Sequence, residues 1–206
     1  MNKQTFEAST DRLYKKESIE WLRIWCENTH SSLPRVALIG DSITEQVFEG
    51  IKKELEGTAI IDFLVTSYSI LSPAYTAMVK AFVEDTDYAL VYFNYGLHAA
   101  NVSIDDYETV YCRIVAELVK KSQVLIASTT VVHTQQSDEV NQRVQARNAC
   151  AQKIAKMFGL TMDDGYGISV ELGEKGKIED GVHLNEMGKE RLAKHKAELI
   201  KKLILK

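Results

Sequence analysis

Proline is scarce, with two in 206 residues, and the chain has no Pro/Gly-rich linker, low-complexity tract or internal repeat. A domain boundary has nowhere obvious to fall, so the expectation is a single domain over 1–206, with about 1–33 as a helical segment leading into it. Cysteine is also sparse. Cys26, Cys112 and Cys150 lie far apart, without metal-ligand or redox spacing and in segments that read as helical, which predicts reduced, buried, inert thiols and no metal site. No run reaches the roughly 18–20 apolar residues of a membrane-spanning helix. Basic residues are not in excess: 25 Lys+Arg against 29 Asp+Glu leave a net charge of -4, no field for gathering phosphate backbones, and so no nucleic-acid partner. The N-terminus carries Glu7, Asp11 and Glu17 among its basic residues and has no apolar h-region. It does not read as a secretory leader, and the expected location is the cytoplasm.

What the chain does have is alternation. Short apolar runs, "RVALIG" (35–40), "AIIDFLV" (59–65), "YALVYFN" (88–94) and "QVLIAST" (123–129), take turns with helix-period segments near 44–55, 73–84, 104–121, 138–158 and 186–204. Continuous Val, Ile, Leu and Phe without polar alternation are the mark of strands buried on both faces. Strands alternating with helices predict an α/β fold of three layers, α/β/α, around a mostly parallel sheet. In the 138–158 helix, Val140, Val144, Ala151, Ile154 and Phe158 form the apolar stripe, and Arg143, Arg147 and Lys153 are placed on other faces. Phe6, Leu13, Trp21, Leu22, Ile24 and Trp25 suggest a further helix within 5–28. In the lysine-rich tail "KHKAELIKKLILK", Leu and Ile are expected to pack on the sheet while the lysines favour the helix's negative end.

Ligands of open α/β sheets bind beyond the carboxyl ends of the strands. The segments there are "GDSIT", "TSYSILSP", "NYGLHAAN" and "TTVVHTQQ", each offering a hydroxyl, amide or imidazole. Ser42 in "GDSIT" is either a helix N-cap or a nucleophile at the positive end of a helix. Asp41 is expected to organise that turn through backbone hydrogen bonds. A base for Ser42 is found in "EDGVHLNEMG", where Asp180 and His183 are three apart. At that spacing the carboxylate can reach the imidazole Nδ1–H and leave Nε2 free for a hydroxyl, the division of labour of a serine triad. His133 lies in a loop that could touch substrate, and His30 and His195 fall in surface-type segments.

"GDSIT" after the first buried strand and "DGVHLNEMG" before the last helix together resemble the GDSL/SGNH hydrolase family, over about residues 35–200. The segment "QARNACAQKIAKMFGL" is also similar to the helix that precedes that family's last block. The resemblance implies a flavodoxin-like α/β/α fold and cofactor-free serine esterase chemistry, with Ser42 as nucleophile, His183 as base and Asp180 orienting it. The expected small-molecule substrate is an acetyl or other short acyl ester of a carbohydrate or similar polar alcohol, because no long apolar segment suggests a lipid tunnel. An acyltransferase with the same triad, or a binding protein that has lost catalysis, are the alternatives. The Ser-Asp-His order is also that of α/β-hydrolases, but "IGDSIT" lacks their second glycine and the acid stands only three residues from the histidine.

The middle blocks depart from the family pattern. "SYSILSP" puts Ser69 where the oxyanion glycine stands, which is harmless if only the backbone N–H is used. "GLHA" puts His98 where the family has an asparagine, replacing an amide donor with an imidazole. His98 is therefore the expected second oxyanion residue beside Ser69; Asn94 or Asn101, close by, could supply the amide instead, and with His133 they are the candidate substrate contacts.

Overall fold

The computed structural model describes residues 16, 17, 19–135 and 137–205. A sheet of six strands is built from β1 (Leu22–Trp25), β2 (Arg35–Gly40), β3 (Ile60–Thr66), β4 (Tyr88–Phe93), β5 (Gln123–Ala127) and β6 (Thr161–Asp163). Its order is β1-β3-β2-β4-β5-β6, with β1 antiparallel and every other neighbour parallel. The helices are α1 (Ser42–Glu54), α2 (Pro73–Glu84), α3 (Ile104–Leu118), α4 (Ser137–Phe158), α5 (Gly165–Leu172) and α6 (Glu186–Ile204), with a 3-10 turn over Gly173–Gly176.

Adjacent strand residues point to opposite faces, and the core divides accordingly. Val36 and Leu38 join Val47, Phe48 and Ile51 of α1 and Leu192 and Ile200 of α6 on one side. Ala37 and Ile39 join Tyr75 and Val79 of α2, Tyr111 of α3 and Ile154 of α4 on the other. This is the expected three-layer α/β/α arrangement; in the lysine-rich tail Ile200 and Leu203 are buried as anticipated, whereas Leu205 is exposed and Lys196 is buried. α1 and α6 approach closely because Gly50 has no side chain: a Cβ there would stand 2.6 Å from that of Ala193. Among the described residues no helix is long and apolar enough to cross a membrane.

Three expectations need correction. Part of the helix proposed within 5–28 lies outside the described residues, and Leu22–Trp25 is a strand. It pairs antiparallel with β3 from Leu22 opposite Thr66 to Trp25 opposite Phe63, satisfying an edge that would otherwise expose unpaired backbone groups. Cys26, which follows β1, is exposed instead of buried; Cys112 is half-buried and Cys150 buried. Arg147 does not occupy an outer face of α4. It is 1% exposed, because its guanidinium has carbonyl partners inside the fold.

Candidate active site

From β2 the chain crosses to β3 on one side and later reaches β4 on the other, so the sheet's switch point lies between the carboxyl ends of β2 and β4. β2 runs directly into Asp41 and α1. The helix is capped by Asp41, whose Oδ1 accepts the Ile43 N–H at 3.0 Å, so the Ser42 hydroxyl is not spent on capping. Ser42 is the first helical residue, where backbone N–H groups lack intrahelical partners.

The Ser42 Oγ lies 2.9 Å from His183 Nε2. On the other side of the ring, His183 Nδ1 is 2.6 Å from Asp180 Oδ2. Asp180 Oδ1 accepts the N–H groups of Val182 and His183, both at 2.8 Å, which turns the loop back on itself and aims the carboxylate at the imidazole. Burial alone would push the Asp180 carboxyl up, but the hydrogen bonds from His183 and Val182 hold it below the ordinary value.

The loop itself is fixed from several directions. The Leu184 N–H donates to Gln46 Oε1 on α1 at 2.9 Å, a direct tie to the helix bearing Ser42. The His133 N–H donates to the Gly181 carbonyl at 2.8 Å. Lys177 is buried beneath the loop and donates from Nζ to the Val182 carbonyl at 2.8 Å. Burial pushes its pKa down to about 8, against the pull of the Asp180 and Asp41 charges. Asn185 closes the segment by capping α6 through the Gly188 N–H and by donating to the carbonyls of Lys175 and Lys177.

The remaining candidates have different fates. Ser69 is buried in the turn after β3, its hydroxyl accepting the Leu71 N–H at 3.3 Å and its carbonyl the Ser72 N–H at 2.9 Å. Asn94 is not a free amide: Nδ2 donates to the Ala127 carbonyl at 3.0 Å and to Thr129 Oγ1 at 3.3 Å, so both its hydrogens are used to join β4 to β5. Asn101 is exposed in the turn before α3. His133 is half-buried, and its Nε2 meets no hydrogen-bond partner among the described residues. His98 presents Nδ1 to the carboxylate of Glu17, 3.0 Å from Oε2 and 3.1 Å from Oε1. His195 is not a plain surface residue, since its Nε2 stands 2.8 Å from Asp163 Oδ1, drawn by a fully buried carboxylate.

Sequence reasoning missed Arg147 and Glu17. Arg147 Nη1 donates to the carbonyls of Gly96 and His98 at 3.0 and 2.5 Å, and Nη2 to that of Ala99 at 2.6 Å. It thus clamps the loop that carries His98. A signal was present, because 144, 147 and 151 fall on one helical stripe. Nothing in the sequence links Glu17 to His98.

No known family profile and no curated protein sequence matches the chain. Solved structures do match its fold. An alpha/beta hydrolase enzyme from the metagenome of Lake Arreo, Spain, superposes with a TM-score of 0.70 at 14% identity, over 84% of this chain and 96% of that one. An acetyl xylan esterase from Geobacillus stearothermophilus gives 0.70 at 14% identity, over 82% and 94%. A GDSL-like lipase from Bacteroides thetaiotaomicron gives 0.64 at 19% identity, over 83% and 87%. The chain therefore shares the α/β/α fold of GDSL-like and acetyl xylan esterase structures.

Proposed function

We propose that the protein is a cofactor-free serine esterase acting on short acyl esters, acetyl foremost, of a carbohydrate or similar polar alcohol. The observation that carries this reading is the unbroken line Ser42 Oγ, His183 Nε2, His183 Nδ1, Asp180 Oδ2, with its 2.9 and 2.6 Å contacts. Ser42 Oγ attacks the ester carbonyl as His183 Nε2 takes the hydroxyl proton, and Asp180 stabilises the imidazolium. Collapse of the tetrahedral intermediate breaks the bond to the alcohol, which leaves with the proton from His183. Water, deprotonated in turn by His183, then releases the acid and regenerates Ser42. The N–H groups of Ser42 and Ser69 are the backbone donors assigned to the oxyanion. Support for a short acyl group comes from the sequence, which offers no long apolar segment suited to a lipid tunnel. The fold shared with an acetyl xylan esterase points the same way.

A panel of p-nitrophenyl esters of graded acyl length, run beside fluorophosphonate labelling, tests the proposal. Turnover highest on acetate and label on Ser42 are expected. Absence of both would leave a protein that only binds polar ligands. Product analysis with a sugar acceptor present separates hydrolysis from acyl transfer.

The loop geometry gives a second expectation. Gly181 has φ +68°, and a Cβ there would come 1.8 Å from the His133 carbonyl oxygen. Gly181→Ala must displace the loop and with it His183, and misplacement by about 1 Å costs on the order of 10²-fold in rate. Steady-state kinetics on p-nitrophenyl acetate should show that loss, and turnover close to the parent's would sink this account of the loop.

A further inference from the structure

Outside the proposed triad stands a second histidine–carboxylate pair. Glu17 reaches the loop after β4 and takes two hydrogens there: its Oε1 accepts the Ala99 N–H at 2.8 Å, and its two oxygens face His98 Nδ1. The segment that delivers Glu17 is pinned beside β3, since the Trp21 N–H donates to Ser67 Oγ at 3.0 Å and Thr66 Oγ1 donates to the Trp21 carbonyl at 2.5 Å. The Trp21 ring meets His98 edge-on at 6.3 Å. On the far side Arg147 grips the carbonyls of His98 and Ala99. Ala99 is held at φ 58°, a left-handed conformation that a non-glycine residue adopts only when its surroundings impose it. His98 is thus fixed by its ring, by its carbonyl and by the next residue's N–H.

A ring nitrogen facing two carboxylate oxygens must carry a hydrogen, so Nδ1 is protonated and the state of Nε2 is the variable. Nε2 is buried with no partner among the described residues. The charges facing the ring are Glu17 and Asp41, which favour imidazolium, and Arg147, which opposes it. Arg143 adds a further positive charge near Glu17. Burial by itself would strip the proton from His98, but the hydrogen bond and charge of Glu17, reinforced by Asp41, outweigh it and raise the pKa above the ordinary imidazole value.

We propose that Glu17 is a positioning residue that keeps His98 as an imidazolium, so that His98 Nε2–H supplies a cationic oxyanion donor where the resembled family uses a neutral amide. This deepens the esterase reading and rests on it. His98 must be charged to donate in this way, so turnover falls on the alkaline side as His98 loses its proton.

The test compares the parent with Glu17→Gln, His98→Asn and the double variant. The glutamine amide keeps an oxygen for the Ala99 N–H but removes the charge. Imidazole ¹⁵N resonances give a readout independent of catalysis: His98 Nε2 should keep its hydrogen to higher pH in the parent than in Glu17→Gln. With p-nitrophenyl acetate, Glu17→Gln should lower kcat by about 10- to 100-fold with KM little changed, and move the alkaline limb to lower pH. His98→Asn should retain part of the turnover and lack that limb, and adding Glu17→Gln to it should change little. A His98 that loses its proton at the same pH in the parent and in Glu17→Gln, or an alkaline limb that survives in His98→Asn, overturns the proposal. Equal losses from Glu17→Gln with and without His98 overturn it too. A parent that neither turns over nor labels at Ser42 refutes the esterase reading instead, and the ¹⁵N result then still decides whether Glu17 holds the charge.

Discussion

Ser42→Ala and His183→Ala should each lower turnover of an acetyl ester by roughly 10⁴- to 10⁶-fold, and the double variant should be little worse than either. The reason is the geometry: Ser42 Oγ has one base, 2.9 Å away, and neither group can do its part without the other. Multiplying losses in the double variant would show that they act independently and would refute the assignment. Asp180→Asn should cost less. The amide favours the wrong imidazole tautomer, an effect worth about 10⁴-fold where the acid is fully buried. Here the Asp180 side chain is 44% exposed, so water can stabilise part of the imidazolium charge in its place. Steady-state rates on p-nitrophenyl acetate measure all four variants.

The largest expected loss of stability lies away from that site, at Asp163. This carboxylate at the end of β6 is completely buried, with Lys196 Nζ from α6 at 2.5 Å and the Tyr92 hydroxyl at 2.8 Å, both on Oδ2. Lys196 also donates to Tyr92 at 2.5 Å. Asp163→Asn removes the counter-charge and leaves a buried ammonium beside a neutral amide, which typically costs about 3–5 kcal/mol. That is a large share of the roughly 5–15 kcal/mol available to a domain. Asp163→Leu with Lys196→Met removes both charges and should recover much of the loss, since the pair's net worth is far smaller than the cost of breaking it. Urea denaturation of the three proteins tests this, and a single variant as stable as the parent would contradict it. Burial would raise the Asp163 pKa, but Lys196, His195 and Tyr92 outweigh that and hold it well below the carboxylate range. The corresponding stability is present above the unfolded value, about pH 4, and is lost as pH falls toward the folded one. Asp163→Asn should flatten that part of the acid-unfolding curve.

The sequence made the four central strands legible because each is buried on both faces and so reads as an unbroken apolar run. Ser42, Asp180 and His183 were legible because short local patterns place them at a strand end and a helix start, and the fold then brings their side chains within hydrogen-bond distance. β1 was misread: its four residues are exposed, and their regularity comes from pairing with β3, a partner some forty residues away that no local periodicity records. β6 is three residues long, too short to form a run. Arg147 and Lys196 stand on apolar stripes, where a charge suggests an interruption and not a buried clamp. The Glu17–His98 contact joins residues 81 apart and belongs to neither local pattern.

The close fit of α6 against α1 at Gly50 and Ala193 also sets an order of events during synthesis. Ser42 is made early, in the helix that directly follows β2. Its base is 141 residues further on, in a loop whose place depends on α6 reaching α1. A ribosome-bound chain that ends between His183 and α6 carries the hydroxyl and the imidazole but not the helix that seats the loop. On the proposed reading such a chain would not turn over, and activity would begin only once the last helix has docked.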